Sequence, residues 1–372
     1  MRTRQIIAAL ILAIGVVTSC TKFEQAGDTT DNIRISYNVV SPKPSVKSSA
    51  YPTSTPFVSY AWYLPNGKSW QTKADRDASQ AYISSAEISY QDGKWYDSST
   101  SYYWPKAGSL TFMSYSPAGI PNVSVDQNEG VKFSDWDVDA NPTTDLMVAD
   151  VAMDKTANET SGSFTGVPTI FRHKLASVVG FAFNTFHDYA NGHDGTSGYA
   201  NGDILFFIKS VSINKLQQKG TYTSGTMTGA TRLGAWERDN ASDERNYTWF
   251  TGFKEIRYSA SEHEAVAANG LSGRDYLLVL PQTFSSPGSK KDFEVPNITI
   301  QYVKRTYSNS SDFSDETVTK SVSLYSVLGE HANRFDINKK ITFRVTINID
   351  SNLITWAPDY DEWTGSDYEM SI

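Results

Sequence analysis

The sequence predicts an all-β protein made of two β-sandwich domains in tandem, and three observations carry this prediction. Aromatic residues make up 13% of the chain and charged residues only 20%, which is a composition typical of strands. Apolar residues beyond the N-terminus recur with period two, and no long helical period competes with them. The length of 372 residues corresponds to about two domains of roughly 150 residues each.

Residues 1–19 are predicted to be a lipoprotein signal peptide. A short basic stretch precedes the almost wholly apolar residues 5–17, which are too few to span a bilayer comfortably. Small residues then lead into Cys20, and this order resembles the lipobox at which bacterial lipoproteins are cut and lipidated. Cys20 is therefore the predicted lipidation site and residues 20–32 the tether of an exported, membrane-anchored protein. The alternative is an incidental cysteine after an ordinary signal peptide.

The first predicted domain covers residues 33–167. Residues 33–39 alternate apolar and polar side chains, which predicts a half-buried strand, and residues 41–49 form a linker rich in Pro, Ser and Lys. Asp92-Gly93 is typical of a type I′ turn, so we expect a hairpin around it. The strands expected after the linker, including the two of the hairpin, are residues 57–63, 88–90, 94–96 and 110–115.

The second predicted domain covers residues 168–372. The boundary is placed in the polar residues 150–168, whose later part is rich in Gly, Ser and Thr. Residues 188–203 carry four glycines and are expected to form a surface loop. The strands expected in this domain are residues 175–183, 204–213, 276–280, 298–303 and 341–349.

Charge, cysteine content and motifs exclude several classes of function. The chain has 33 Lys and Arg against 41 Asp and Glu without a long basic cluster, so we do not expect nucleic acid as a partner. The single cysteine excludes an internal disulfide and a Cys-ligated zinc site. His263-Glu264 begins like the zinc-protease motif, but Ala267 occupies the place of the second His. His173 lies between Phe171 and Leu175 and is expected to be a packed, hydrogen-bonded structural histidine.

We therefore expect a non-catalytic protein without a cofactor or metal site, and a secreted hydrolase is the least favoured alternative. One acidic segment leaves a question open, because Asp and Asn side chains between residues 135 and 145 have calcium-like spacing. The EF-hand requires Gly and Glu where this chain has Ala140 and Leu146. An irregular calcium loop and a solvated acidic turn both remain open.

Tryptophan and tyrosine residues cluster in the first domain and allow two interpretations. Exposed aromatic faces can stack on sugars or on partner proteins, whereas buried ones would form core and cross-strand pairs. The candidate contacts with a glycan or a partner are Trp70 and Trp95. The full cluster consists of Trp62, Trp70, Trp95, Tyr102, Tyr103 and Trp104.

Several short aromatic and strand-like motifs follow one another along nearly the whole mature chain: residues 102–105, 110–117, 145–149, 171–176, 276–282, 338–343 and 354–358, with Trp363. In this order they resemble the fimbrillin-like lipoproteins of Bacteroidetes. This resemblance implies two transthyretin-like sandwich domains and a fimbrial subunit or adhesin at the outer membrane or cell surface. It also implies that a protease removes an N-terminal strand, so that a strand from another subunit can fill the groove.

For this chain, the resemblance assigns the removable strand to residues 33–39 and the candidate donor to the C-terminal segment that ends at residues 370–372. The family's structural subunits are usually cut at an arginine, whereas the linker holds only lysines, of which Lys47 is the candidate site. The alternatives are an ordinary solvated lysine and an uncleaved anchor or tip member.

The partners implied are other fimbrial subunits by donor-strand exchange, the outer membrane through the lipid anchor, and a host or bacterial surface ligand. The alternative function is that of a glycan-binding surface lipoprotein, for which Trp70 and Trp95 would provide the stacking faces. The two functions differ in one physical requirement. Strand exchange needs a separable N-terminal strand, whereas glycan binding needs exposed aromatic faces.

Overall fold

Strands form almost all of the regular structure, which confirms the predicted all-β class. The structure is a computed structural model that describes residues 33–40, 51–157, 166–225, 233–238 and 243–363. In the first half of the chain the strands are β1 (Tyr37–Val40), β2 (Phe57–Leu64), β3 (Gln80–Gln91), β4 (Lys94–Asp97), β5 (Ser109–Ser116), β6 (Val123–Asp126), β7 (Gly130–Asp137), β8 (Met147–Ala149), β9 (Ala152–Lys155) and β10 (Val167–His173).

The second half of the chain contains thirteen described strands, of which seven have ten or more residues, against one in the first half. They are β11 (Ala176–Thr185), β12 (Ile204–Gln217), β13 (Lys219–Thr223), β14 (Ala235–Arg238), β15 (Glu244–Ile256), β16 (Glu264–Val266), β17 (Leu277–Val279), β18 (Gln282–Thr283), β19 (Asn297–Tyr307), β20 (Phe313–Ser323), β21 (Arg334–Phe335), β22 (Lys339–Asn348) and β23 (Leu353–Glu362). Helices are short: α1 (Lys73–Asp77), α2 (Leu324–Val327) and 3₁₀ turns at Asp292–Glu294 and Gly329–His331. None of the described helices is long and apolar enough to cross a membrane.

The hairpin predicted around Asp92-Gly93 is confirmed. Strands β3 and β4 pair antiparallel, with Gln91 opposite Lys94 across a two-residue turn. Both turn residues have positive φ, 51° at Asp92 and 79° at Gly93, as a type I′ turn requires. Glycine adopts this left-handed conformation without steric cost, and an aspartate tolerates it better than most residues.

The largest sheet closes on itself in the first half of the chain. Its strands follow the order β2-β3-β4-β1-β10-β8-β5, and β5 pairs again with β2, while β9 adds to the other edge of β5. A closed sheet leaves no open edge between these strands. The aromatic side chains that fill it include those of Tyr37, Tyr51, Phe57, Trp95, Trp104, Phe112 and Phe171.

The second half is built from two sheets that share one core. One sheet has the order β16-β11-β22-β23, with β17 also paired to β11, and the other has the order β15-β12-β19-β20. Along β22 every second side chain from Ile341 to Ile347 is buried, as the alternation in the sequence predicts. Inward side chains of both sheets make a single core rich in Val, Ile and Leu.

A third sheet joins the two halves of the chain. In the order β14-β13-β7-β6, strands β6 and β7 come from the first half and β13 and β14 from the second. Beside it lies a core that draws side chains from both halves, among them Val58, Tyr115, Leu175, Leu278 and Trp363. We call this sheet and this core the junction of the two halves, and the core itself the junction core. The boundary between residues 167 and 168 stays a prediction, as do two tandem transthyretin-like domains. Strand β10, which starts at that boundary, belongs to the closed sheet of the first half.

Candidate functional site

The N-terminal strand β1 completes the closed sheet, although its two neighbours come from distant parts of the chain. It pairs parallel with β10 over four residues, from Tyr37 opposite Val167 to Val40 opposite Ile170. On its other side it pairs antiparallel with β4, through Tyr37 and Trp95. The predicted strand at 33–39 is therefore confirmed in part: ahead of β1, the chain forms an isolated bridge between Arg34 and Tyr103.

The buried side chains of this segment explain why it stays in the sheet. Ile35 and Tyr37 are 3% and 4% exposed, whereas Ser36 between them is only half-buried, so the alternation of the sequence matches one buried face. The Tyr37 ring meets Phe57 and Phe112 edge to face, with centroids 5.5 and 5.9 Å apart. Burial raises the pKa of the Tyr37 hydroxyl well above its ordinary value, so this group stays neutral.

A glycine permits the close approach of β10 to this segment. Gly166 has φ +119°, and a Cβ built there would lie 2.8 Å from the Tyr37 carbonyl carbon and 2.9 Å from the Asn38 nitrogen. The next residue, Val167, donates its N–H to the Ser36 carbonyl at 2.7 Å. Only a residue without a side chain fits between these backbones.

At the start of the segment, Arg34 is held by contacts that the sequence did not indicate. Its guanidinium lies over the Tyr96 ring, 4.2 Å from the centroid, and donates to the Asp97 carbonyl at 2.6 Å. The Ile35 N–H donates to the Tyr102 carbonyl at 2.8 Å. The side chain of Arg34 itself is exposed, so these contacts orient the chain as it enters β1 rather than build the core.

Several predicted site residues lie outside the described residues: Cys20, Lys47 and the C-terminal residues 370–372. Trp70 and Trp95 are described, and the structure corrects their predicted role. Trp70 is 0% and Trp95 6% exposed, because each indole is packed into a core of the first half. A buried ring presents no face to a soluble glycan, so neither residue forms an exposed aromatic contact.

His173 is a structural histidine, as its position between Phe171 and Leu175 predicts. It is 3% exposed, its Nδ1 lies 2.5 Å from the Asp145 carboxylate, and its ring stacks on Trp363 with centroids 4.0 Å apart. Trp363 is fully buried and follows β23 directly. The stack therefore fixes the last described residue of the chain against the end of β10.

The acidic residues with calcium-like spacing make other contacts. The Asp137 carboxylate accepts the Asp139 N–H at 2.9 Å, Asp139 pairs with Arg245 at 2.9 Å, and Asp145 binds His173. His263 has Thr346 Oγ1 3.0 Å from its Nε2. Among the described residues, no group of three or more His, Cys, Asp or Glu side chains could hold a metal ion.

Lys174 is a buried charge that no sequence motif pointed to. Its side chain lies in the junction at 1% residue exposure, with Nζ 3.5 Å from the Leu233 carbonyl and 5.7 Å from the centroid of the Tyr222 ring. Burial lowers the pKa of the Lys174 ammonium to about 7, although the nearby carboxylate of Asp150 acts in the opposite direction. This lysine therefore changes its charge near neutral pH.

Together these features define an all-β protein whose sheet is completed by a separate N-terminal segment. A model of the fimbrillin-like family matches residues 65–358, and the chain belongs to this family. A comparison with curated proteins found no match.

Among solved structures, a fimbrial protein of Bacteroides vulgatus is similar at 17% identity and a TM-score of 0.61, over 90% of this chain and 100% of that one. A candidate cell adhesion protein of Bacteroides uniformis has 15% identity and a TM-score of 0.42, over 89% and 99% of the two chains. The fimbrial anchor protein of Porphyromonas gingivalis has 9% identity and a TM-score of 0.33, over 90% and 99%. At 17% identity, the first similarity supports the fold.

Proposed function

We propose that this chain is a fimbrial subunit or adhesion lipoprotein of the cell surface, which assembles by β-strand exchange at the position of β1. One observation carries the proposal: β1 closes the sheet between β4 and β10 but is joined to the rest of the chain only through residues 41–50. The family membership supports a role in fimbriae or adhesion. Neither assembly nor adhesion requires a catalytic step.

The loss of β1 would leave a groove between β4 and β10 that favours the binding of another strand. The facing edges of β4 and β10 would expose unpaired backbone groups, and the sites of Ile35 and Tyr37 would open onto an aromatic core. A strand from a second copy that alternates apolar and polar side chains would fill this groove. Its backbone would pair with the free edges of β4 and β10, and its apolar side chains would occupy the sites of Ile35 and Tyr37.

In this proposal, proteolysis within residues 41–50 separates β1 from the chain, and Lys47 is the candidate site. A cut after Arg34 would have a different result, because it would leave Tyr37–Val40 attached to the remaining protein. The lipid on Cys20 would hold the uncleaved protein at the outer membrane. The C-terminal segment that follows Trp363 and ends at residues 370–372 is the proposed donor to another copy.

Mild trypsin treatment of a chain that begins at residue 21, followed by intact mass measurement and a native gel, tests the proposal. We expect one early cut after Lys47, release of the segment that contains β1, and a ladder of oligomers. Lys47→Gln should abolish both the cut and the ladder, whereas Lys43→Gln is the matched control and should leave them unchanged.

A chain that ends at residue 363 separates cleavage from exchange. It should be cut like the full chain but stay monomeric, because the proposed donor is missing. A trypsin-resistant monomer, or a cleaved full-length chain that remains monomeric, would contradict strand exchange as the mode of assembly. Glycan contact through Trp70 and Trp95 is not proposed, since both side chains are buried.

A further inference from the structure

A cleft of about 180 Å³ lies at the end of the second half that is remote from the junction. Strand β11 begins beside the junction core and runs ten residues to Thr185, so the cleft is about 30 Å from that core. The cleft is lined by the loop between β11 and β12, the start of β12 and the residues that follow β15. It is therefore separate from the position of β1.

The floor of the cleft is apolar and its rim is polar. Ile204, Phe206 and Ile256 contribute to the floor, and Phe206 and Ile256 are each only 1% exposed. Asp188 and Arg257 are among the rim side chains. An apolar floor with a few converging polar groups is the usual form of a small-ligand site.

His193 at the rim is held in one orientation by a buried carboxylate. Its Nδ1 lies 2.5 Å from Asp203, which is 1% exposed and also accepts hydrogen bonds from the Asn191 amide at 3.0 Å and the Ala200 N–H at 2.6 Å. Burial alone would raise the pKa of the Asp203 carboxyl, but these hydrogen bonds hold it below its ordinary value. Nδ1 therefore donates to an ionised carboxylate.

With Nδ1 engaged, Nε2 is the ring nitrogen of His193 that remains for a ligand. No described residue makes a hydrogen bond to it. A histidine whose orientation is fixed through its other nitrogen is pre-organised for recognition, because binding costs it little side-chain entropy. The loop between β11 and β12 therefore provides both the carboxylate of Asp203 that orients His193 and the ring nitrogen that can contact a ligand.

The other rim groups offer acceptors and donors side by side. Asp194 accepts hydrogen bonds from Thr196 and Ser197 through Oδ1, and these bonds lower the pKa of its carboxyl, which leaves Oδ2 as an ionised acceptor. The Arg257 guanidinium also lines the cleft, where its Nε pairs with Glu255 at 2.6 Å and one of its Nη atoms donates to the Tyr199 hydroxyl at 3.3 Å. Tyr258 beside it is an aromatic residue with 43% of its surface exposed. The carboxylates of Asp188 and Asp194 disfavour an anionic ligand, and the guanidinium adds little net positive charge because Glu255 pairs with it.

We infer that this cleft binds one ring of a neutral glycan. Hydroxyl groups both donate and accept hydrogen bonds, so a sugar can satisfy Asp194, Arg257 and the His193 Nε2 together. The Tyr258 ring can cover an apolar face of the sugar. The volume is below that of sites for drug-sized ligands, which corresponds to a single ring rather than a longer segment. This inference does not depend on strand exchange.

Saturation-transfer NMR and calorimetry with the methyl glycosides of glucose, galactose, mannose and N-acetylglucosamine test this inference on the full mature chain. We expect saturable binding of at least one glycoside at millimolar concentration. His193→Asn keeps a donor toward Asp203 but removes the second ring nitrogen, and it should weaken binding about tenfold or more. Tyr258→Ala should weaken it to a similar extent with an unchanged melting temperature.

Phe253→Ala is the matched control, because Phe253 is an exposed aromatic residue of β15 outside the cleft. Its affinity should stay within about twofold of the unsubstituted protein. Tyr258→Ala keeps the test decisive even if His193→Asn fails to fold, because Tyr258 is exposed. The inference is overturned if no glycoside binds, if Tyr258→Ala binds as well as the unsubstituted protein, or if methyl glucuronide binds more tightly than every neutral glycoside. Binding that persists after trypsin removes β1 would support a site separate from the groove between β4 and β10.

Discussion

The two halves of the molecule are both built from paired strands, but they depend on different parts of the chain. In the first half, a four-residue strand from the N-terminus fills the gap between β4 and β10. In the second half, β11, β12, β19 and β22 are ten to fourteen residues long and connect without any N-terminal segment. The comparison shows that the two sheets of the second half need no N-terminal segment, whereas the closed sheet of the first half is completed by one.

The cores of the two halves also differ in the kind of side chain that fills them. Aromatic side chains form a larger share of the first core, where Tyr37 lies against Phe57 and Phe112. Branched aliphatic side chains dominate the second core. An aromatic ring buries a large area and fits edge to face against its neighbours, so a short strand can contribute much of its binding free energy through one side chain. This is how four residues can hold a sheet closed.

The largest expected effect comes from Tyr37→Ala, which removes that side chain. We expect a loss of about 3–5 kcal/mol, as for other large buried aromatic residues. Hydrogen exchange should accelerate in β1, β4 and β10 while protection in β11 and β22 persists. Tyr302→Ala in the second core is the matched control, since Tyr302 is 4% exposed, and it should reverse this pattern. Equal loss of protection in both halves for either variant would contradict the comparison.

A smaller effect is expected from Gly166→Ala, which tests the contact between β10 and the N-terminal segment. The added methyl would meet the backbone of Tyr37 and Asn38 at 2.8–2.9 Å in addition to the strain of a positive φ, and we expect a cost of about 2–3 kcal/mol. Gly67→Ala is the control, because its φ is +78° but nothing lies within 4 Å of its Cβ. This control should cost about 1 kcal/mol from strain alone.

Urea unfolding measures both costs, and trypsin sensitivity near residue 47 should rise only for Gly166→Ala. If the two glycine variants were equally destabilised and equally resistant to trypsin, the close approach would not matter for the docking of β1. The comparison of Gly166→Ala with Gly67→Ala therefore separates the cost of backbone strain at a positive φ from the cost of a weakened contact between β10 and the N-terminal segment.

The smallest expected effect concerns the junction and depends on pH. Lys174 has a pKa of about 7 in the folded protein and an ordinary, higher value when unfolded, so the unfolded state binds more protons above pH 7. Stability should therefore rise with pH, by about 1–2 kcal/mol between pH 7 and about pH 8.5. Lys174→Met removes this contribution, so its stability relative to the unsubstituted protein should be greatest at or below pH 7.

The measurement is urea unfolding at several pH values, with Lys106→Met, a substitution of an exposed lysine in the first half, as the control. The control should keep the pH dependence of the unsubstituted protein. An unchanged difference between Lys174→Met and the unsubstituted protein across this range would show that Lys174 does not titrate in the folded state.

Local patterns were sufficient for many elements of the fold. The turn at Asp92-Gly93, the alternation along β22 and the buried His173 were all predicted, because each depends on backbone conformation or on side-chain periodicity within a few residues. The resemblance to fimbrillin-like proteins was likewise confirmed. The sequence left open whether Trp70 and Trp95 are buried or exposed, because local patterns do not say which side chains the rest of the fold covers.

The sequence by itself thus determined the all-β class, most strand positions and the family. Only the tertiary structure decided that β1 lies between β4 and β10, that Gly166 must be a glycine and that Lys174 is buried. The cleft that holds His193 over Asp203 also depends on tertiary structure, since it joins a loop to the end of another strand. The physical reason is the same in each case: these features arise from contacts between segments far apart in the chain, whereas local conformation is set by neighbouring residues.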